Sequence, residues 1–211
     1  MTSGLPEFDE LNNIRNILTD IIGDSEDETA PVAIPLDRKR IEDTIFELIT
    51  MGYVYGITVA GLDLQEDIPV DRQRMLETAD APTKDETPRE RISRHMDEYE
   101  RTAVNDPDAR RKLIERLAVV AETETHRTIN TGEDDGARDY AERHPGVTIY
   151  KTWVTMGDDR VRDTHDYLEG ATIPMDARFY TYDGDSARFP GDFMLPENVI
   201  NCRCILRYTK R

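Results

Sequence analysis

Three residues in the last third of this 211-residue chain have side chains that could do chemistry together: His165, Cys202 and Cys204. Two thiolates and an imidazole can hold a metal ion, and zinc suits that donor set. Two thiols alone can act as a redox pair. Turned inward, all three can be ordinary core. Spacing bears on the choice. In a final strand over residues 199–208, period two places Ile200, Cys202, Cys204, Leu206 and Tyr208 on one face, with Asn201 and Arg203 on the other. The two cysteine Cα atoms would then lie about 6.6 Å apart, at about 3.3 Å per residue. That is the outer edge of disulfide geometry. A shared zinc would need a bend to bring the sulfurs together. A regular strand therefore favours packed thiols over ligation, and ligation over a bridge. On a short helix, Val161, His165 and Leu168 share a face, which turns the histidine inward too. His126, Asp158 or Glu124 could add a fourth ligand, and no spacing selects among them.

Other chemistry is poorly supported. The chain has no phosphate-binding glycine loop, no HExxH and no GxSxG. The acidic run YDGDSARF is too short for a calcium loop with a Glu at its twelfth position. Arg160 and Arg162 sit among Asp158, Asp159, Asp163 and Asp166, where surface ion pairs are expected. A sharper alternative has Arg162 buried against Glu124. Glu124 continues an apolar helical stripe and is expected at a wet helix boundary, rather than as a buried, paired acid.

These residues need elements to hold them. Phe8, Leu11, Ile14, Leu18 and Ile21 recur at helical spacing over residues 6–22, and an acidic linker follows over 24–35. A second helix starts near Asp37 and either breaks at Gly52 or runs on through YVYGITVAG. Residues 62–87, acidic and proline-bearing, are expected to lack regular structure. Pro88 opens a polar helix over 88–104. The clearest helix follows, capped by Asp106, carrying Leu113, Leu117, Val120 and Ala121 on one face, and ending near residues 130–132. A strand is expected over 147–155. A short helix capped by Asp158 or Asp159 then ends at Gly170, and a turn-rich loop follows, with a hairpin near residues 180–189.

Composition bounds the function. The formal net charge is −17, of which residues 1–100 carry −14, residues 101–148 carry −2 and residues 149–211 carry −1. Phosphate binding needs Lys and Arg to displace counterions, so the acidic front half does not suit nucleic acid. It suits a basic protein surface, or solubility. Two cysteines make no disulfide scaffold. No run reaches the roughly 18 apolar residues of a membrane span. The start, MTSGLPEFDE, shows no signal-peptide pattern, and folding in a reducing cytosol is expected.

The run AETETHRTINTG, then KTWVTMGDDRVRDTHDYLEG, then FPGDFMLPENVINCRC resembles the head-morphogenesis domain of phage Mu protein F-like minor capsid proteins. The resemblance covers about residues 100–211. It rests on Thr123, Glu124, Asn130, Trp153, Asp159, Arg162, His165, Gly170, Phe179, Pro190, Gly191, Asn201, Cys202, Arg203 and Cys204 in that order. It implies a minor head protein of a tailed phage or prophage, assembled in the host cytoplasm and located in the virion at the portal vertex. Its expected partners are the portal protein or the major capsid protein, with packaged DNA met indirectly and no membrane. The implied role is head assembly or DNA delivery. Some relatives carry fused toxin domains, and with seven residues after Cys204 none is expected here.

The resulting expectation is an α+β chain: an acidic, mainly helical region over 1–99, then a domain over 100–211 with a helix packed on a small, mostly antiparallel sheet. It is expected to be non-enzymatic and to need no cofactor, with zinc at His165, Cys202 and Cys204 as the exception. The apolar face of Phe8, Leu11, Ile14 and Leu18 is expected to dock on the portal or a capsid protein. Two other readings compete. One is a metal-dependent nuclease or hydrolase built on His165, Cys202 and Cys204, which metal content would reveal. The other is an acidic scaffolding or DNA-mimicking factor, which would be released from finished particles.

Overall fold

The computed structural model describes residues 13–23, 35–83, 85–106 and 108–211. Its helices are α1 (Ile14–Ile22), α2 (Arg38–Leu64), α3 (Arg72–Ala79), α4 (Pro88–Thr102) and α5 (Ala109–Arg143). Then come β1 (Ile149–Val154), α6 (Asp163–Asp166), β2 (Thr172–Pro174), β3 (Phe179–Tyr180), β4 (Ser186–Ala187), α7 (Pro196–Val199) and β5 (Ile205–Lys210). The class is α+β, with an antiparallel sheet in the order β2-β1-β5 and a separate β3-β4 hairpin.

Local chemistry starts the helices. The Asp37 carboxylate accepts the Arg40 N–H and opens α2. Asp71 accepts the N–H groups of Gln73 and Arg74 and opens α3, so residues 72–79 are helical where the proline-bearing acidic stretch suggested no regular structure. Thr87 and Glu90 form a reciprocal capping box around Pro88 at the head of α4.

The long pair α2 and α5 crosses at glycines. A Cβ on Gly56 would stand 2.0 Å from the Ile129 carbonyl oxygen, and one on Gly132 would stand 2.3 Å from that of Tyr53. Each helix thus needs bare backbone where the other lies against it. This explains two departures from the sequence expectation. Helix α2 runs unbroken through Gly52 and Gly56 for 27 residues. Helix α5 does not end near residues 130–132 but continues to Arg143, with TGEDDG inside it and Asp108 rather than Asp106 at its cap position.

Two cores meet on α5. One is aliphatic and gathers Ile14 and Leu18 of α1, Ile41, Ile45 and Ile49 of α2, Ile92 and Met96 of α4, and Leu113 and Leu117 of α5. It joins residues on both sides of position 100. The face of α1 expected to dock on a partner is therefore used inside the molecule: Ile14 and Leu18 are fully buried, while Phe8 and Leu11 lie outside the described residues. Helix α2 is long and apolar enough to cross a membrane, a length the sequence reading did not credit to any segment. Its isoleucines face the bundle, as in the core helix of a globular protein.

The second core is aromatic. Trp153, Phe179, Phe189, Phe193, Leu206 and Tyr208 pack with Ala137 and Tyr140 of α5 and Leu64 of α2. Strand β1 supplies it by alternation, with Ile149, Lys151 and Trp153 inward. Trp153 stands opposite Leu206 and Lys151 opposite Tyr208.

Candidate metal centre

The segment holding the two cysteines is not strand. It lies between α7 and β5, and Asn201 takes left-handed backbone at φ 57°. Asn tolerates that conformation better than most residues. The bend turns Ile200 out to solvent, against the expectation that it shares the inner face, while Cys202 and Cys204 stay buried. Both sulfurs then converge on one imidazole. Cys202 Sγ is 3.5 Å and Cys204 Sγ is 3.4 Å from His165 Nδ1, and the three atoms lie within 4.8 Å of one another. The argument against ligation assumed a regular strand, and the structure supplies the bend that ligation requires. Both cysteines are free thiols.

His165 is placed from the other side. Helix α6 has only four residues, and Asp158 does not cap it; its carboxylate accepts the Arg160 N–H in the preceding turn. Asp159 lies exposed beside it. The imidazole stacks on Phe193 at 5.3 Å and meets Trp153 edge-on at 5.5 Å. Its Nε2 is buried with no hydrogen-bond partner. Gly170 follows with φ 71° and donates its N–H to the Trp153 carbonyl, which returns the chain to β1.

Helix α5 grips the cysteine segment. His126 Nε2 lies 2.6 Å from the Cys204 carbonyl oxygen, and Asn130 Nδ2 donates to that oxygen at 3.4 Å. The Asn201 N–H donates to Thr123 Oγ at 3.4 Å. Thr123, His126 and Asn130 follow one another at helical steps of three and four, so one face reads the segment. Gly191, at φ 94°, lets the loop pass against Arg127, whose Cα is 3.3 Å from where a Cβ would stand.

The other acids named from the sequence are occupied. Glu124 is fully buried, not at a wet boundary, and it is not held by Arg162. Arg91 and Arg127 pair with it, Arg127 at 2.8 Å, and Thr83 donates to it at 3.2 Å. Arg162 instead donates to the Ile200 carbonyl. Asp158 receives a two-pronged contact from Arg203, at 2.9 and 2.6 Å, and this pairing pulls its pKa down to about 2. The Cys204 thiol, hydrogen-bonded to Cys202, pulls the Cys202 pKa down against the opposing effect of burial, with His126 and His165 assisting. Cys204 is pushed up by the same contact and by burial. One thiolate is favoured and the second opposed, as in any close pair of like acids.

Thr123, His126 and Asn130 thus join α5 to the cysteine segment and His165 joins α6 to it, whereas Glu124 ties α5 to Arg91 of α4 and Asp159 stays exposed. A family model described as phage Mu protein F like protein matches residues 89–207, more than half of the chain. The chain belongs to the phage Mu protein F-like family. It is a family of phage head-morphogenesis proteins, and the match begins within α4 and ends within β5. An NAD(+)–arginine ADP-ribosyltransferase EFV of Enterococcus faecalis (strain ATCC 700802 / V583) is 34% identical over 85 residues. Those residues are 40% of this chain, which spans only 17% of that relative's length. No solved structure matches.

Sequence reasoning missed several buried polar groups that shape this Mu F-like module. Lys151 is fully buried, its ammonium 5.6 Å from the Phe179 ring centre, and burial pushes its pKa down to about 8. Its place between Ile149 and Trp153 in an alternating strand was the available signal. Asp185 is buried and accepts the N–H groups of Ser186, Met194 and Leu195, fastening the long loop. Glu133 is buried inside α5, within a TGEDDG run whose composition is that of a turn.

Proposed function

We propose that this chain is a minor head protein carried in the virion at the portal vertex, where it contacts the portal or major capsid protein and serves head assembly or DNA delivery without a catalytic step. Family membership over residues 89–207 carries the reading. The site geometry supports it. A hydrolase at His165, Cys202 and Cys204 would need a free general base beside the metal. Glu124 is held by two arginines, Asp158 by Arg203, and His126 sits on the Cys204 carbonyl. The ADP-ribosyltransferase activity in the enterococcal relative's name stays with that protein, because the shared stretch is 17% of its length.

With Ile14 and Leu18 spent in the core, docking falls to other surface. Phe8 and Leu11, N-terminal to α1, are the apolar candidates left from that helix. The test is mass spectrometry of purified particles, which should show the chain retained at a fixed low copy number. Particles that lack it, yet package and deliver DNA normally, would remove the proposal. Deleting residues 1–12 spares every residue of the described fold. Unchanged copy number in that variant would take docking away from Phe8 and Leu11.

A further inference from the structure

We propose that His165 Nδ1, Cys202 Sγ and Cys204 Sγ bind one zinc ion, and that this ion fastens α6 to the segment leading into β5. Three features of the molecule carry this. The first is distance. A tetrahedral ion with Zn–S near 2.3 Å and Zn–N near 2.0 Å sets each N···S separation at about 3.5 Å. The two observed separations are 3.5 and 3.4 Å, and all three ligand atoms lie within 4.8 Å of one another.

The second is how the convergence is made. Parallel side chains on a regular strand would not bring the two sulfurs to one imidazole. Asn201 bends the backbone into the left-handed region just before Cys202, and His126 and Asn130 hold the Cys204 carbonyl from α5. A merely apolar interior would be served as well by valine or alanine, with no need for the bend.

The third is charge. Two thiolates and Zn²⁺ sum to zero, so the loaded centre buries no net charge beside Trp153, Phe193 and Leu168. Binding releases the thiol protons and leaves the imidazole proton on Nε2. The other nearby donors are engaged, so the fourth place goes to a water. The small cavity that His165 and Cys204 line, with Met156, Val161, Asn201, Arg160, Arg162 and Arg203 around it, is its route.

The test uses the full chain, expressed in zinc-supplemented medium and assayed for metal by mass spectrometry. About one zinc per chain is expected. The Cys202→Ser, Cys204→Ser double variant should retain under about a tenth of that, as should His165→Phe, which keeps an aromatic ring against Phe193 and Trp153. His165→Cys should keep the metal, as a three-thiolate site. Should the metal-free variants fail to fold, cobalt answers instead. Chelator-treated wild type, given Co²⁺, should develop the near-ultraviolet thiolate-to-cobalt band and the visible bands of a tetrahedral ion. A folded wild type that carries no zinc, takes up no cobalt, and melts at the same temperature with or without chelator would overturn the proposal.

Discussion

Helix α5 runs through two different interiors. Its first half, with Leu113, Leu117 and Ala121, packs its buried apolar face against Ile14 and Leu18 of α1, Ile41, Ile45 and Ile49 of α2 and Ile92 of α4. Its second half buries Glu124, Thr125, Thr128, Asn130, Glu133 and Asp134. All of these but Thr125 have a particular partner. Thr128 donates to the Ile49 carbonyl at 2.7 Å, Asp134 pairs with Arg138 at 2.8 Å, and Glu133 accepts the Leu206 N–H at 3.4 Å. An aliphatic interior tolerates swaps of similar volume. An interior of paired polar groups does not, because removing one partner strands the other away from water. The contrast identifies the second half as the specifying part of the helix, and Thr123, Glu124 and Asn130, on which the family resemblance rests in this helix, fall at its start.

Breaking a buried pair should cost most. Glu124→Ala removes the anion shared by two mostly buried arginines, leaving Arg91 only Glu86, and is expected to destabilise the chain by about 3–5 kcal/mol in urea unfolding. Ile45→Val, in the aliphatic interior, should cost only about 0.5–1.5 kcal/mol. Equal losses would erase the distinction between the two halves.

The glycine crossing is next. Ala is the better helix former by about 1 kcal/mol, so Gly56→Ala would stabilise an exposed helix. Here the new Cβ meets the Ile129 carbonyl, and a net loss of about 2 kcal/mol is expected from overpacking. A gain in thermal midpoint would show that α2 and α5 can part without penalty.

The third prediction concerns pH. Burial, with Asp63 nearby, pushes Glu133 from its ordinary 4.5 up to about 8. The folded value exceeds the unfolded one, so its contribution is complete below pH 4.5 and is lost as pH rises through 8. Between pH 5 and pH 9 the wild type should therefore lose on the order of 2 kcal/mol more stability than Glu133→Gln. Parallel pH profiles for the two proteins would place Glu133 outside the buried network.

The smallest effect is expected at the rim. Arg203 and Asp158 make a well-formed pair, but in the open, where solvent screens it. Arg203→Ala should leave the thermal midpoint within a degree or so of wild type. A large drop would mean that the pair steers the cysteine segment.

How far the sequence was legible follows from the same contrast. Leu113, Leu117 and Ala121 announced their helix by period, and Pro88 announced the head of α4, because helix starts and amphipathic faces are local. The inward turn of Cys202, Cys204 and His165 was also legible. The end of α5 was not. TGEDDG has the composition of a turn, and only the close approach of α2 makes Gly132 useful inside a helix. Glu124 could be placed on its stripe but not paired, since Arg91 reaches it from another helix 33 residues away.

By itself, the sequence determined the α+β class, most of the helices, the family, and the burial of the His-Cys-Cys trio. Each of these depends on neighbours a few residues apart or on an ordered motif. The tertiary structure decided which polar groups pair inside, where α1 spends its apolar face, and whether two thiols meet one imidazole. Those depend on bringing distant segments within a few ångströms. At the trio, the left-handed turn at Asn201 and the grip of His126 and Asn130 on the Cys204 carbonyl do this.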